Sequence, residues 1–433
     1  MVYLLYDILL LVAALVLTPY YLWRGIRYGK SRRGIRERLG RYGRGRLDAL
    51  NGRPVIWVHA VSVGETRAVV PLLRRLKQSY PGHALVLTNV TETGREVAAR
   101  LDCVDLCLFF PFDLSWVVRR VLKKLRPWLV VLVETELWPN LVRQTSRAGV
   151  PLVLVNGRIS DRSFPRYQKV RLMLAPLLRR IDLFAMQTEL DAERIRDLGA
   201  PRERVRVTGN LKFDMVPPDL SAEDQAAFRS LLGIEAGRRV LVAGSTHQGE
   251  EETVLRAFRQ VREACSDLQL VLVPRHPERA ADVAELVRQE GFETVLRSQC
   301  PRRAAGPGAV VVADTLGEML RFYSLADVVF VGGSLIPVGG HNILEASLLR
   351  KPVLFGPHMN NFKEIAQLVL FAAGGRKVAD AAELAASVTE LLQDEALRTR
   401  MGRAGHALIE RHAGATERTL NSLSAWLEVS GEP

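Results

Sequence analysis

Several carboxylates and cations in this chain stand directly after short apolar runs, where a parallel sheet would present them to a ligand. WVHAVSVGET places Glu65 just past one such run, in a loop with Ser62 and Gly64. A carboxylate there can take a proton from a hydroxyl, and partial burial would raise its pKa toward that task. It can equally be an acid in a first helical turn, which the macrodipole favours. VETELWPN ends another run with Glu134 and Glu136. Acids at the end of an apolar strand need a partner or solvent; an ion pair accounts for one, and two point to a site. VTGNLKFD supplies Lys212, a cation for a phosphate or developing anion, or else a surface lysine.

A second group of motifs follows the same rule. AGSTHQGEE offers Ser245 and Thr246 as helix caps before an acidic turn, with amide groups that can also receive an anion. VPRHPER brings Arg275, His276 and Arg279 together beside Pro274 and Pro277, a grouping able to grip a phosphate. DTLGEML places Leu316, Gly317 and Glu318 after a further run, as a contact or as a simple strand-to-helix turn. VGGSLIPVGGHNILEAS contains Gly332, Gly333, Gly339 and Gly340, which permit positive φ and close backbone approach to a ligand. The two glycine pairs are not the G-x-G-x-x-G dinucleotide fingerprint. Asn342 and Glu345 have the spacing of a capping box; a carboxylate here can also take the hydroxyls of a ribose while His341 approaches a phosphate.

The elements that must position these groups are legible as runs of four to eight apolar, β-branched residues. Residues 55–60, 83–89, 105–110, 128–134, 151–156, 182–187 and 205–209 form one series; 238–245, 268–275, 308–314, 327–333 and 351–356 form another. Near-continuous hydrophobicity marks strands buried on both faces, hence parallel sheets covered by helices. Two such series predict an α/β chain of two Rossmann-like domains, with the break near Pro217 and Pro218. After Asp380 the pattern is helical.

The net charge of +13 does not by itself indicate nucleic acid, because it is concentrated. Between Arg24 and Arg46 ten Lys and Arg face one acid, Glu37, leaving only +4 for the rest of the chain. Just before lies MVYLLYDILLLVAALVLTPYYLW, with Asp7 its single charge and Tyr20, Tyr21 and Trp23 at its rim. Apolar body, aromatic edge and basic flank predict a membrane anchor over 1–23, spanning or lying in the interface, with the remainder on the cytoplasmic side. A core helix followed by a solvated basic loop is the plainer alternative. Four scattered cysteines, without a C-x-x-C pair, suit a reducing compartment, and no histidine spacing calls for a metal.

Taken in order, VSVGE, ETELWPN, NLKFD, PRHPER, DTLGEM and GGHNILE, together with the apolar N terminus, resemble the bacterial Kdo transferases. That family attaches 3-deoxy-D-manno-octulosonic acid (Kdo) to the lipid A precursor of lipopolysaccharide. The similarity runs over essentially the whole chain. It implies a GT-B fold, with acceptor bound mainly by the N-terminal domain, CMP-Kdo by the C-terminal one across a cleft, and the last helices returning to the first domain. The corresponding segments are an anchor at 1–23, a basic juxtamembrane stretch at 24–47, an acceptor domain at 48–212, a CMP-Kdo domain at 213–405 and a returning helix at 406–433. By resemblance Glu65 is the general base, and Glu136 and Lys212 stabilise the transition state. The CMP contacts become Pro274, Arg275, Leu316, Gly317, Glu318, Asn342, Ile343, Leu344 and Glu345. No metal or other cofactor is implied. The location implied is the cytoplasmic face of the cell inner membrane. A transferase or epimerase acting on a UDP-sugar is the second enzymatic reading of the same motifs; an inactive membrane-tethered binding protein and a nucleic-acid binder are the non-enzymatic ones.

Overall fold

The computed structural model describes residues 6–12, 34–217, 220–300, 306 and 308–427. Most of the expected anchor and the first part of the basic stretch lie outside these residues. Among the described residues no helix is long and apolar enough to cross a membrane. Residues 6–12 are helical, and their one acid is held in place. Asp7 accepts from the Ser115 amide at 3.1 Å, the Ser115 hydroxyl at 2.5 Å and Asn140 Nδ2 at 2.7 Å. Ile8, Leu9, Leu11 and Val12 remain exposed.

The chain forms two compact units, one ending at Met215 and resuming at His412, the other spanning Val216–Arg411. The first holds β1 (Val55–His59), α1 (Val63–Ser79), β2 (Ala84–Asn89), β3 (Leu106–Phe109), α2 (Ser115–Leu125), β4 (Pro127–Val133), α3 (Pro139–Arg147), β5 (Leu152–Gly157), α4 (Phe164–Lys169), α5 (Arg171–Leu178), β6 (Leu183–Met186) and β7 (Val205–Val207). Its seven strands are all parallel in the order β3-β2-β1-β4-β5-β6-β7. The second unit contributes β8 (Arg239–Thr246), α6 (Glu251–Ala264), β9 (Leu268–Pro274), β10 (Thr294–Leu296), β11 (Val310–Val312), β12 (Val328–Val331), α7 (Leu344–Leu348), β13 (Val353–Phe355), β14 (Gly375–Lys377) and α8 (Glu395–His412). Its sheet is also parallel, in the order β10-β11-β9-β8-β12-β13-β14.

The apolar runs form these strands because each central residue is buried on both faces: all of β1, β2, β9 and β12 is sequestered. Two strands escaped the sequence reading, β10 and β14, and both are edges. An edge strand has one neighbour and tolerates polar residues, so the Gly-Arg-Lys of β14 carries no apolar signal.

The helix α9 (Ala415–Leu427) closes the first unit by packing on α1. Trp128 Nε1 donates to the Trp426 carbonyl at 2.7 Å, and Arg75 pairs with Glu417 at 2.5 Å. The units change over after Met215 and Arg411 rather than after Lys212 and Gly405. Phe213 stacks on His412 at 4.8 Å, while Asp214 accepts from the Gly414 amide at 2.7 Å and from that of Thr416. Both residues therefore belong with the returning segment, whereas α8 runs unbroken through Arg411.

Candidate functional site

Both sheets reverse their strand order at one place, between β1 and β4 in the first unit and between β8 and β12 in the second. In open parallel sheets the diverging loops at such a point leave a crevice beyond the carboxyl ends. Glu65 follows β1, and Glu134 and Glu136 follow β4, so the first crevice is lined by three carboxylates.

Ser62 caps α1, and Glu65 occupies its first turn. The Glu65 carboxylate accepts from the Val61 amide at 2.7 Å and the Ser62 hydroxyl at 2.9 Å. The side chain thus serves the helix start and stands at the strand end together. Its burial, 8 % exposed, pushes its pKa up to about 7, and the charge of Glu134 adds to that effect. At such a value the carboxylate exchanges protons near neutrality, as a general base must.

Glu134 has φ 59, a left-handed conformation strained for a non-glycine residue. Its carboxylate accepts from Lys212 Nζ at 3.2 Å, and both side chains are largely sequestered. Lys212 is set by a short 3-10 turn, Leu211–Phe213, whose start Asn210 caps through the Lys212 amide at 3.0 Å. The Leu211 amide donates to Asn156 Oδ1 at 3.0 Å, and Asn156, near the end of β5, is also left-handed at φ 55. Burial followed by the charge of Glu134 raises the pKa of Glu136. The structure therefore brings Glu65, Glu134, Glu136 and Lys212 into one electrostatic group. Sequence reasoning gave Glu134 no role of its own; its only signal was being one of the two acids in ETE.

In the second unit the register aligns the ends of β11, β9, β8 and β12. Arg275 donates its amide to the Thr246 carbonyl at 2.9 Å, Ala313 to Leu272 at 2.8 Å, and Gly332 to Gly244 at 2.8 Å. Pro274 and Arg275, the turn at Leu316–Glu318, and the segment Asn342–Glu345 accordingly follow strands grouped about β8. Ser245, at the end of β8, is a third left-handed non-glycine residue, φ 55.

The buried carboxylate of Glu250 organises this end of the sheet. It accepts from the amides of His247 at 3.0 Å, Gly333 at 2.6 Å, Ser334 at 2.9 Å and Leu335 at 2.9 Å. Those four donors are consequently committed to a protein carboxylate, not held open for an anion as AGSTHQGEE and the glycine stretch suggested. The glycines likewise serve close packing in the protein: a Cβ on Gly332 would come 2.7 Å from Thr246 Cα. Gly340, at φ 76, folds the loop back so that its amide meets the Gly333 carbonyl at 2.7 Å.

Three further expectations change. Arg279 does not stand ready for a phosphate, because it forms a forked pair with the buried Glu251 at 3.0 and 3.4 Å. Glu318 is occupied by Arg297 at 2.9 Å, Thr315 at 2.6 Å and Arg321 at 3.2 Å, so its carboxylate is committed within the protein. Of the Asn342/Glu345 pair, Asn342 stands just ahead of α7, whose N-cap is Ile343, and its Oδ1 accepts from the Leu344 amide at 3.2 Å. His341 instead meets His247, Nε2 to Nε2 at 2.9 Å, with His276 5.8 Å from His247 ring to ring. A contact that short requires one proton between the two nitrogens, and burial lowers the pKa of His247. Among the described residues no three His, Cys, Asp or Glu side chains converge as a metal site.

The sequence profile described as 3-deoxy-D-manno-octulosonic-acid transferase (kdotransferase) matches residues 33–215. The 3-deoxy-D-manno-octulosonic acid transferase of Haemophilus influenzae is 35% identical over 98% of this chain and 98% of its own. That of Bordetella pertussis is 36% identical over 90% of this chain and 91% of its own. Among solved structures, a glycosyltransferase of Rickettsia africae shares the fold, with TM-score 0.58 at 14% identity over 88% of this chain and 100% of that one. The two parallel-sheet α/β units thus resemble GT-B glycosyltransferases. With full-length relatives at this identity, the chain belongs to the 3-deoxy-D-manno-octulosonic acid transferase family, and it is a glycosyltransferase.

Proposed function

We propose that this chain transfers Kdo from CMP-Kdo to the 6′-hydroxyl of the lipid A precursor, lipid IVA, with inversion at the anomeric carbon. The observation that carries the reading is the buried Glu65 carboxylate, its pKa near 7, at the first unit's switch point beside Glu134 and Lys212. Glu65 takes the proton of the attacking hydroxyl, whose oxygen forms the new bond to Kdo as the bond to the CMP phosphate breaks. A positioned base of this kind contributes roughly 10²–10⁴ in rate.

Positive charge grows on the sugar and negative charge on the departing phosphate. Glu136 answers the first and Lys212 the second, with Glu134 holding the lysine in place. CMP is held by Pro274, Arg275, the backbone of Leu316–Glu318, and Asn342, Ile343, Leu344 and Glu345 around the end of β8. No metal ion takes part in this scheme. The enzyme works at the cytoplasmic face of the inner membrane, where residues 1–23 and the basic segment 24–46 keep it beside its lipid acceptor.

The test is incubation of the purified chain with CMP-Kdo and lipid IVA, followed by product masses. A product heavier by one or more Kdo units is expected; transfer from a UDP-sugar instead, with CMP-Kdo untouched, overturns the donor assignment.

A further inference from the structure

We propose that the kinked pair α4–α5 is a membrane-contact surface that seats its cations among anionic phospholipid headgroups and inserts Val170, Leu172 and Met173 into the acyl boundary. The inference rests on the lipid-acceptor reading above and adds a second contact to the N-terminal segment.

The pair follows β5 and presents two unlike sides. Phe164, Tyr167 and Leu174 pack against the core on one side, and Leu177 and Leu178 are buried. Val170 ends α4 and caps α5 with φ −112 and ψ 18, so the helical axis breaks there and the next residues form a tip. At that tip Leu172 is 91 % and Met173 63 % exposed, while Val170 is also open to solvent. Large apolar side chains so exposed lose nothing on folding and gain on leaving water elsewhere.

Charge complements the apolar tip. From Arg162 to Arg180 the chain carries Arg162, Arg166, Lys169, Arg171, Arg179 and Arg180 and no acid. Among the described residues none of Arg166, Lys169 and Arg171 is paired with a carboxylate. Cations flanking a small apolar wedge match an anionic bilayer, whose phosphates meet the charges while the wedge enters the hydrocarbon edge. Three apolar side chains are too few for a stable protein interface of about 1,000 Å² or more. A single-stranded nucleic acid would call for outward aromatic rings, yet Phe164 and Tyr167 pack inward.

Position adds the functional sense. α5 packs on α3, the helix whose Asn140 also holds Asp7 of the apolar N-terminal segment. Tyr167 feels the charge of Glu136, which with burial raises its phenol pKa. The surface thus borders the strand end that carries the catalytic carboxylates, and a lipid headgroup drawn to it arrives beside them.

The test uses the full chain with Leu172→Cys carrying a nitroxide; Cys103, Cys265 and Cys300 are buried, and labelled parent protein corrects for Cys107. Mixed with vesicles of phosphatidylglycerol in phosphatidylcholine, the label should lose collisions with an aqueous nickel complex severalfold and gain them with oxygen. A label at Gly82→Cys, in the turn before β2, should not change. Leu172→Glu with Met173→Glu should weaken vesicle co-sedimentation on the order of tenfold. A position-172 label that stays aqueous while the chain sediments with vesicles overturns the proposal, and equal immersion in pure phosphatidylcholine overturns its anionic part. The vesicles contain neither donor nor acceptor, so failure here leaves the transfer reading standing. An immersed label on a chain without Kdo transfer would sink that reading alone.

Discussion

Replacing Glu65 by Gln should slow transfer steeply and yet stabilise the fold above neutrality. The side chain is almost fully buried, and its carboxyl is raised from the ordinary 4.5 to about 7. At ~1.36 kcal/mol per tenfold, that difference corresponds to roughly 3 kcal/mol. A carboxyl whose folded pKa exceeds its unfolded value contributes stability that is complete below about 4.5 and is lost as pH rises through about 7. Wild type therefore carries an ionised Glu65 at about pH 8 at that cost, while Gln has no charge to desolvate. Gln can still accept from the Val61 amide and approach the Ser62 hydroxyl, so the two hydrogen bonds now made by the carboxylate have substitutes. The variant should gain roughly 2–3 kcal/mol relative to wild type between about pH 5 and pH 8, equivalent to several degrees in the first unit's melting transition. Scanning calorimetry of both proteins at the two pH values reads this, and the mass assay reads transfer, expected to fall by about 10²–10⁴. A Gln variant destabilised equally at both pH values, or one that keeps wild-type transfer, would refute the reasoning.

Other expectations follow from the same geometry. Wild-type kcat/KM should fall as pH drops below about 7, because protonated Glu65 no longer accepts a proton. Glu134→Gln removes the second cause of its raised pKa and should move that midpoint down by up to about one pH unit; an unmoved midpoint in the pH–rate profile would separate the two residues. Glu250→Ala leaves four amides without their acceptor and should destabilise the second unit by about 3–5 kcal/mol and weaken CMP binding, as denaturant titration and calorimetry would show. EDTA should leave the rate unchanged in the transfer assay; loss with recovery on adding a divalent ion would contradict the metal-free scheme.

Much of the architecture was legible in the sequence because a parallel sheet buries both faces of its inner strands. Runs such as VIWVHA and WLVVLVE admit little but β-branched and apolar residues, and any polar group is displaced to their ends. That displacement makes Glu65, Glu134, Glu136 and Lys212 visible as candidates from residue pattern alone. Of the two hidden strands, each three residues long, β14 is an edge whose Gly-Arg-Lys carries no apolar signal.

By itself, then, the sequence determined twelve of the fourteen strands, where charge collects and which residues stand at strand ends, since these depend on local pattern and solvation. Only the tertiary structure decided their partnerships. Strand order put the end of β1 beside that of β4, so that residues 65 and 134 share one electrostatic environment. It also gave the amides of the glycine stretch to Glu250 and Arg279 to Glu251, when either pattern was equally suited to a phosphate. Hydrogen-bonding capacity is written in residue type, but which donor meets which acceptor depends on distances between segments far apart in the chain, and those are fixed by packing alone.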